Sequence, residues 1–253
     1  MIALTDDQLL RYARNILLPE VDVSGQATLL ASHVAVIGVG GLGSPVIQYL
    51  AAAGVGHLSL IDDDRVEATN LQRQVIHDTS QLGVSKVASA RDFVQRLNPE
   101  VRVTVHAQRL TPDNCMALLQ DVDLVVIGTD NFASRYLANA LCQQQQIPLV
   151  TGAAIGTSGQ VSSFDFAHQA TPCFECLYPK GQEEQLSCAT AGVLGPVVGT
   201  IGSIMAMEVI KILVHLGQPL FGRLLTWDAR VMDWQTFNYG RAKNCPCCTE
   251  TPL

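Results

Sequence analysis

Residues 33–53, HVAVIGVGGLGSPVIQYLAAA, constrain this chain more than any other stretch. Val34, Ala35, Val36 and Ile37 are a short apolar run that predicts a buried strand, and a tight loop rich in glycine follows at once. A helix must open there: Pro45 suits a first helical turn, and Val46, Ile47, Leu50 and Ala51 recur at helical spacing. Strand, glycine loop and helix N-terminus together make an anion site, because glycines let backbone N–H groups approach a phosphate that also feels the positive end of the helix. Gly38, Gly40 and Gly43 satisfy G-x-G-x-x-G, with Gly41 inside the loop, and the next predicted strand, His57–Ile61, delivers Asp62 where a ribose-binding acid belongs. The pattern is specific for a nucleotide and not for a reaction. An NAD-dependent enzyme and a sharp turn without a ligand both stay open on these residues alone.

The remainder of the chain bounds the class. With 253 residues, 48% of them hydrophobic, and no stretch that reads as a linker, one domain with a sizeable core is expected. A formal charge of −7 argues against a general nucleic-acid or membrane-surface binder, which needs a basic face. The start, MIALTDDQLL, lacks the basic n-region of a signal peptide, and the apolar run at 189–207 is Gly-rich and closed by Glu208 and Lys211, so a cytoplasmic protein with a buried helix is expected.

Taken in order, Thr5 with Gln8 is a capping-box pattern, and Leu9, Ala13, Ile16 and Leu17 share one face of the helix it opens, with Arg11 and Arg14 on the other. After Asp62 comes a polar stretch carrying Asn70, Gln72, Arg73 and Gln74, and Lys86 opens a second periodic helix. Surface solubility and phosphate binding are both open for Arg73 and Lys86. A strand at 101–105, a helix at 111–119 and a buried strand at 124–127 follow. Asp130 then falls at the carboxyl end of a strand, where ligands bind in an open sheet, while Asn131 suits the N-cap of a helix at 132–146. A strand at 147–150 closes the alternation; strands at 159–166, 223–227 and 234–239 look antiparallel and enclose a long apolar helix at 197–216. The fold class is α/β: a mixed sheet, parallel first and antiparallel later, with helices on both faces.

Eight cysteines without a secretory signal point to a reducing compartment. Cys173 with Cys176 and Cys245 with Cys248 are two chelating pairs, and four thiolates point to Zn²⁺. The long gap between the pairs makes this a clamp tying residues 245–248 to the middle of the chain. Cys247 competes with Cys248 as the fourth ligand but shortens the chelate. Cys188, ahead of the long helix, is either a nucleophile favoured by the helix dipole or a spectator thiol. Cys115 and Cys142 lie in predicted helices and read as small core residues.

These motifs together resemble the ThiF and MoeB adenylyltransferases, bacterial relatives of the ubiquitin-activating enzymes. The likeness rests on RYARNILLPE, GVGGLGSP, AGVGHLSLIDDD, NLQRQ, SKVASA and TDN, on both cysteine pairs, and on CATAGVLGPVVGTIGSIMAMEVIK; it spans essentially the whole chain and displaces the NAD reading. The resemblance implies a Rossmann-like adenylation domain over residues 1–253. It also implies a homodimer that uses ATP and Mg²⁺ to adenylate the C-terminal glycine of a small ubiquitin-like sulfur-carrier protein ending in Gly-Gly, with a sulfur-donor enzyme as a further partner. By the same likeness Gly38 to Gly43 shape the nucleotide loop, Asp62 binds ribose, Asn70, Arg73, Gln74 and Lys86 meet the nucleotide, and Asp130 holds Mg²⁺. Arg14 reaches into the partner's site, and Cys188 joins the activated carrier covalently. CATAGVLGPVVG is closer to the thiamine form, which is the expected pathway, whereas TGAAIGTSGQ is closer to the molybdopterin form, the alternative. A Rossmann protein that binds nucleotide without catalysis is the alternative of another class.

Overall fold

The computed structural model describes residues 4–167, 171–181 and 192–249. Eight strands form one sheet: β1 (His33–Ile37), β2 (His57–Ile61), β3 (Arg102–His106), β4 (Leu124–Ile127), β5 (Leu149–Ile155), β6 (Ser158–Phe164), β7 (Arg223–Asp228) and β8 (Asp233–Asn238). Their spatial order is β3-β2-β1-β4-β5-β6-β7-β8. The first five are parallel and β6 to β8 antiparallel, as the sequence pattern predicts. The strand order reverses between β1 and β4, and that switch point is where an open α/β sheet leaves a crevice beyond its carboxyl ends.

Side-chain alternation divides the core into two layers. Val34 and Val36 of β1 and Leu124 and Val126 of β4 face one side, packing with helices Gly43–Ala53, Lys86–Leu97 and Gly195–Leu213. Ala35, Ile37, Val125 and Ile127 face the other side, under helix Phe132–Gln145 and the cysteine-bearing segments. Gly195–Leu213 is long and apolar enough to cross a membrane, but here Val197, Ile201, Met205 and Val209 lie in the core. Its buried Glu208 accepts hydrogen bonds from Ser163 Oγ (2.8 Å) and Leu220 N–H (2.6 Å) and pairs with Lys211. A buried carboxylate on an apolar helix is therefore fully partnered.

Several elements differ from expectation, among them the long helix, which runs Gly195–Leu213 rather than 197–216. The capping box at Thr5 and Gln8 is present, but the helix breaks at Tyr12 into Asp6–Arg11 and Ala13–Ile16. Tyr12 is the buried anchor, its hydroxyl accepting from Asn98 Nδ2 at 2.9 Å, whereas Leu9 and Leu17 of the predicted apolar face are exposed. Only Cys115–Leu118 of the stretch 111–119 is helical; before it Asn114 Oδ1 accepts from Thr111 N–H at 2.8 Å and Thr111 O accepts from Asn114 and Cys115 N–H, which closes a turn at the helix start. The strand expected at 147–150 is β5, which begins at Leu149 and continues to Ile155, where Gly152, Ala153 and Ala154 pair with β6 and let helix Gly195–Leu213 approach. β6 stops at Phe164, two residues short of the predicted end.

Candidate nucleotide site and cysteine cluster

A crevice of about 570 Å³ lies at the carboxyl ends of β1, β4 and β5. That is the size of a small-ligand site. Gly38, Gly40, Gly41 and Leu42 form its floor, where helix Gly43–Ala53 begins. Gly38 has φ +92°, and a Cβ there would lie 2.8 Å from Thr129 N, so the loop turns between β1 and β4 only with glycine. Gly43 is off the wall; a Cβ there would overlap the Gly38 carbonyl oxygen, which gives this glycine a packing role beneath the loop.

Asp62 sits at the tip of β2, accepting from Val39 N–H (2.7 Å) through Oδ2 and from Asp64 N–H (2.8 Å) through Oδ1. Burial pushes its carboxyl upward, against the pull of Lys86 and these two N–H groups. The carboxylate keeps further lone pairs for ligand hydroxyls. Lys86 is buried at the first turn of its helix with Nζ 2.7 Å from Asp64 Oδ2. Arg73 donates to Thr69 O at 2.9 Å. Gln74 is 3% exposed and its Oε1, a buried acceptor on this wall, has no partner among the described residues, which leaves it for a ligand donor. Asp130 is exposed at the end of β4 and lines the crevice, while Asn131 caps the next helix through Ser134 N–H (3.2 Å), the division of labour expected of the pair.

Arg135 was not singled out from the sequence. It is buried, donating to Thr129 O (2.9 Å) and Gly152 O (2.8 Å), with its guanidinium 5.7 Å and 5.9 Å from the ring centroids of Phe132 and Phe174. The available signal was its place four residues after the cap Asn131, on the face that carries Ala138 and Cys142 into the core. With Arg73 and Lys86 it gives the crevice three cations against Asp62, Asp64 and Asp130. Such a balance accepts a polyphosphate best together with a divalent cation.

Behind the wall, Cys173, Cys176, Cys245 and Cys248 bring their Sγ atoms within 4.8 Å of one another. Cys173 to Cys245 is 3.6 Å, Cys176 to Cys248 3.5 Å and Cys173 to Cys176 3.8 Å. A tetrahedral ion with bonds of about 2.3 Å to sulfur spaces its ligands about 3.8 Å apart, so the four thiols match zinc. Contact with Cys173, then burial, pushes the Cys176 thiol up to about 12, and burial and the neighbouring cysteines push Cys248 up. Four thiolates cannot gather here without a cation. Cys247 lies beside Cys173 but accepts from Asn139 Nδ2 (3.0 Å) and donates to Gln143 Oε1 (2.6 Å), whereas Cys248 is the fourth thiol that gathers with the other three.

The ThiF family model matches residues 12–248. The chain belongs to the ThiF family. Among its relatives are the SAMP-activating enzyme E1 of Haloferax volcanii, 45% identical over 98% of this chain and 92% of that protein, and the molybdopterin-synthase adenylyltransferase of Salmonella typhimurium, 42% identical over 98% and 99%. The adenylyltransferase and sulfurtransferase MOCS3 of Culex quinquefasciatus is 41% identical over 98% of this chain, which spans 57% of that relative's length. The crystal structure of E. coli MccB with ATP has a TM-score of 0.82 at 23% identity, covering 95% of this chain and 75% of that one, a likeness of fold.

Of the residues expected at the site of this ThiF-family chain, Gly38, Gly40, Gly41, Asp62, Arg73, Gln74, Lys86 and Asp130 meet on one crevice. Asn70 stands behind it: its Oδ1 accepts from Glu67 N–H (3.2 Å) and its carbonyl from Arg73 and Gln74 N–H (3.1 and 3.0 Å), so it sets the turn that presents those two. Arg14 is exposed on helix Ala13–Ile16 and does not line the crevice of its own chain. Cys188 lies outside the described residues.

Proposed function

We propose that this chain adenylates the C-terminal glycine carboxylate of a small ubiquitin-like sulfur-carrier protein, using ATP with Mg²⁺, in the cytoplasm. The observation that carries the reading is the convergence of Asp62, Arg73, Gln74, Lys86 and Asp130 on the glycine loop at the sheet's switch point. A terminal carboxylate is ionised near neutral pH, so no general base is needed to make the nucleophile. Its oxygen attacks the α-phosphorus, the bond to the bridging oxygen breaks, and pyrophosphate leaves with the electron pair. The protein's task is to hold two anions together and offset the charge on the phosphates, which Arg73 and Lys86 supply. Mg²⁺ at Asp130 would neutralise the leaving phosphates. Zn²⁺ on Cys173, Cys176, Cys245 and Cys248 is structural.

The names of the relatives support this class of substrate. Carriers of the thiamine-thiazole and molybdopterin pathways suit the site equally, with TGAAIGTSGQ and the Salmonella relative on the molybdopterin side. Carrier-dependent ATP–pyrophosphate exchange, run with each carrier, is the test. Asp130→Ala and Arg73→Ala should each lower it roughly 10²-fold while the chain stays folded. Parent-level exchange in both variants overturns the site, and a parent that binds ATP without exchange is a nucleotide-binding module only. A homodimer with Arg14 completing the partner's crevice predicts that mixed Arg14→Ala and Arg73→Ala chains regain activity; no regain rules it out. On the thiamine reading Cys188 acts after adenylation, so Cys188→Ala should keep exchange and lose thiocarboxylate formation when a sulfur-donor enzyme is supplied; parent-rate thiocarboxylate in the variant makes Cys188 a spectator and favours the molybdopterin reading.

A further inference from the structure

His77 is 5% exposed and lies outside the crevice, beneath the glycine loop. Its Nε2 is 3.2 Å from the Val39 carbonyl oxygen and its Nδ1 2.7 Å from Ser89 Oγ, which is in turn 2.6 Å from Gln81 Oε1. A carbonyl oxygen only accepts, so Nε2 must carry a proton. Burial pushes the imidazole toward its neutral form, which leaves Nδ1 as an acceptor. Ser89 donating to Nδ1 requires the Gln81 amide to present its N–H₂ to Ser89 Oγ, the reverse of the Ser89-to-Gln81 Oε1 assignment and an end-for-end choice that heavy-atom positions leave open. The chain of bonds runs from the turn Thr79–Gln81 through helix Lys86–Leu97 to the nucleotide loop, and selects one tautomer of His77.

Val39 is held on both sides. Its N–H donates to Asp62 Oδ2 (2.7 Å) and its carbonyl accepts from His77. Carbonyl and following N–H point opposite ways across a planar trans peptide, so a carbonyl fixed on His77 turns the Gly40 N–H away from it, and Gly40 is on the crevice floor. That peptide joins core-packed Val39 to Gly40, and only on its Gly40 side does no side chain resist rotation. We infer that His77 is a positioning residue for nucleotide binding: neutral and protonated on Nε2, it locks the Val39–Gly40 peptide so that the loop presents Gly40 N–H to the phosphates.

The inference rests on the adenylation reading and is tested by calorimetry with ATP and Mg²⁺ beside carrier-dependent exchange. His77→Phe fills the volume without the hydrogen bonds; its Kd and KM for ATP should rise about tenfold, with kcat and the KM for carrier held. His77→Gln keeps an N–H donor at the Nε2 position and should bring both constants back to within about threefold of the parent. A merely structural histidine would lower the melting temperature without this split or this rescue. Parent-like ATP binding in His77→Phe, or equal loss in His77→Gln, overturns the inference. Should His77→Phe not fold, Ser89→Ala removes the hydroxyl that fixes the tautomer, and an unchanged KM for ATP there is equally fatal. A parent that binds no ATP sinks the adenylation reading and this inference with it, whereas a parent that binds ATP but does not exchange sinks only the former.

Discussion

Lys86 shows how a buried cation waits for its ligand. It is buried, but its Nζ is paired with Asp64 at 2.7 Å and lies on the crevice wall, within reach of a bound phosphate. His33 and His57, opposite each other on β1 and β2, stack with ring centroids 3.7 Å apart, and burial, then His33, then Arg102 bring His57 down to about 4. In the fold His57 is neutral, whereas the unfolded chain takes up its proton below about pH 6.5. The contribution is thus fully present above pH 6.5 and is lost as pH falls from there toward 4; His77 and His106, also lowered, act in the same direction. Urea midpoints measured from pH 7.5 to pH 5 should fall, and fall less in His57→Gln. An equal fall in the variant would remove His57 from the account.

At the scale of elements, the nucleotide loop is held from above by a helix crossing. Gly202 of Gly195–Leu213 meets Gly43–Ala53 so closely that a Cβ would overlap Pro45 Cγ and lie 2.6 Å from the Leu42 carbonyl oxygen. Gly202→Ala must push the helices apart, costing about 1–3 kcal/mol and displacing Leu42 on the crevice floor. A lower melting temperature together with a raised KM for ATP is the expected result; unchanged values for both would show that the crossing has slack. This contact also marks what the sequence left unread. The strand, loop and helix of 33–53 and the acid after β2 were legible, because apolar runs and glycine spacing are local signals. The cysteine pairs were legible for the same reason, and their tertiary placement chose Cys248 over Cys247. Arg135 and His77 were not legible, since each is defined by carbonyls far along the chain: Gly152 is 17 residues from Arg135, and Val39 is 38 from His77. Tyr12 was missed because a short periodic helix suggested a face of Leu9 and Leu17, whereas the fold buries the one large side chain that reaches Asn98.

Across the whole molecule the cysteine cluster joins distant parts of the chain to the nucleotide crevice. Phe174, between the first two cysteines, is fully buried with its ring centroid 5.5 Å from that of Tyr136 and 6.3 Å from that of Phe132, and Tyr136 and Phe132 line the crevice. Lys180 extends the same wall, its Nζ 3.5 Å from Glu175 and 5.4 Å from the Tyr136 ring centroid. A zinc ion on the four thiolates would therefore fix the aromatic wall as well as the segment 245–248, and binding free energy at such a site is folding free energy, on the order of 10 kcal/mol. Purified protein should hold one zinc per chain, and a strong chelator should lower the melting temperature far more than it does for a zinc-free globular domain. Cys247→Ser should keep the metal, because Cys248 completes the four-thiol cluster while Cys247 bonds Asn139 and Gln143. Cys248→Ser should lose the metal and weaken ATP binding through the displaced Phe174. Full exchange activity in protein that metal analysis shows to be free of zinc would break the link between cluster and crevice.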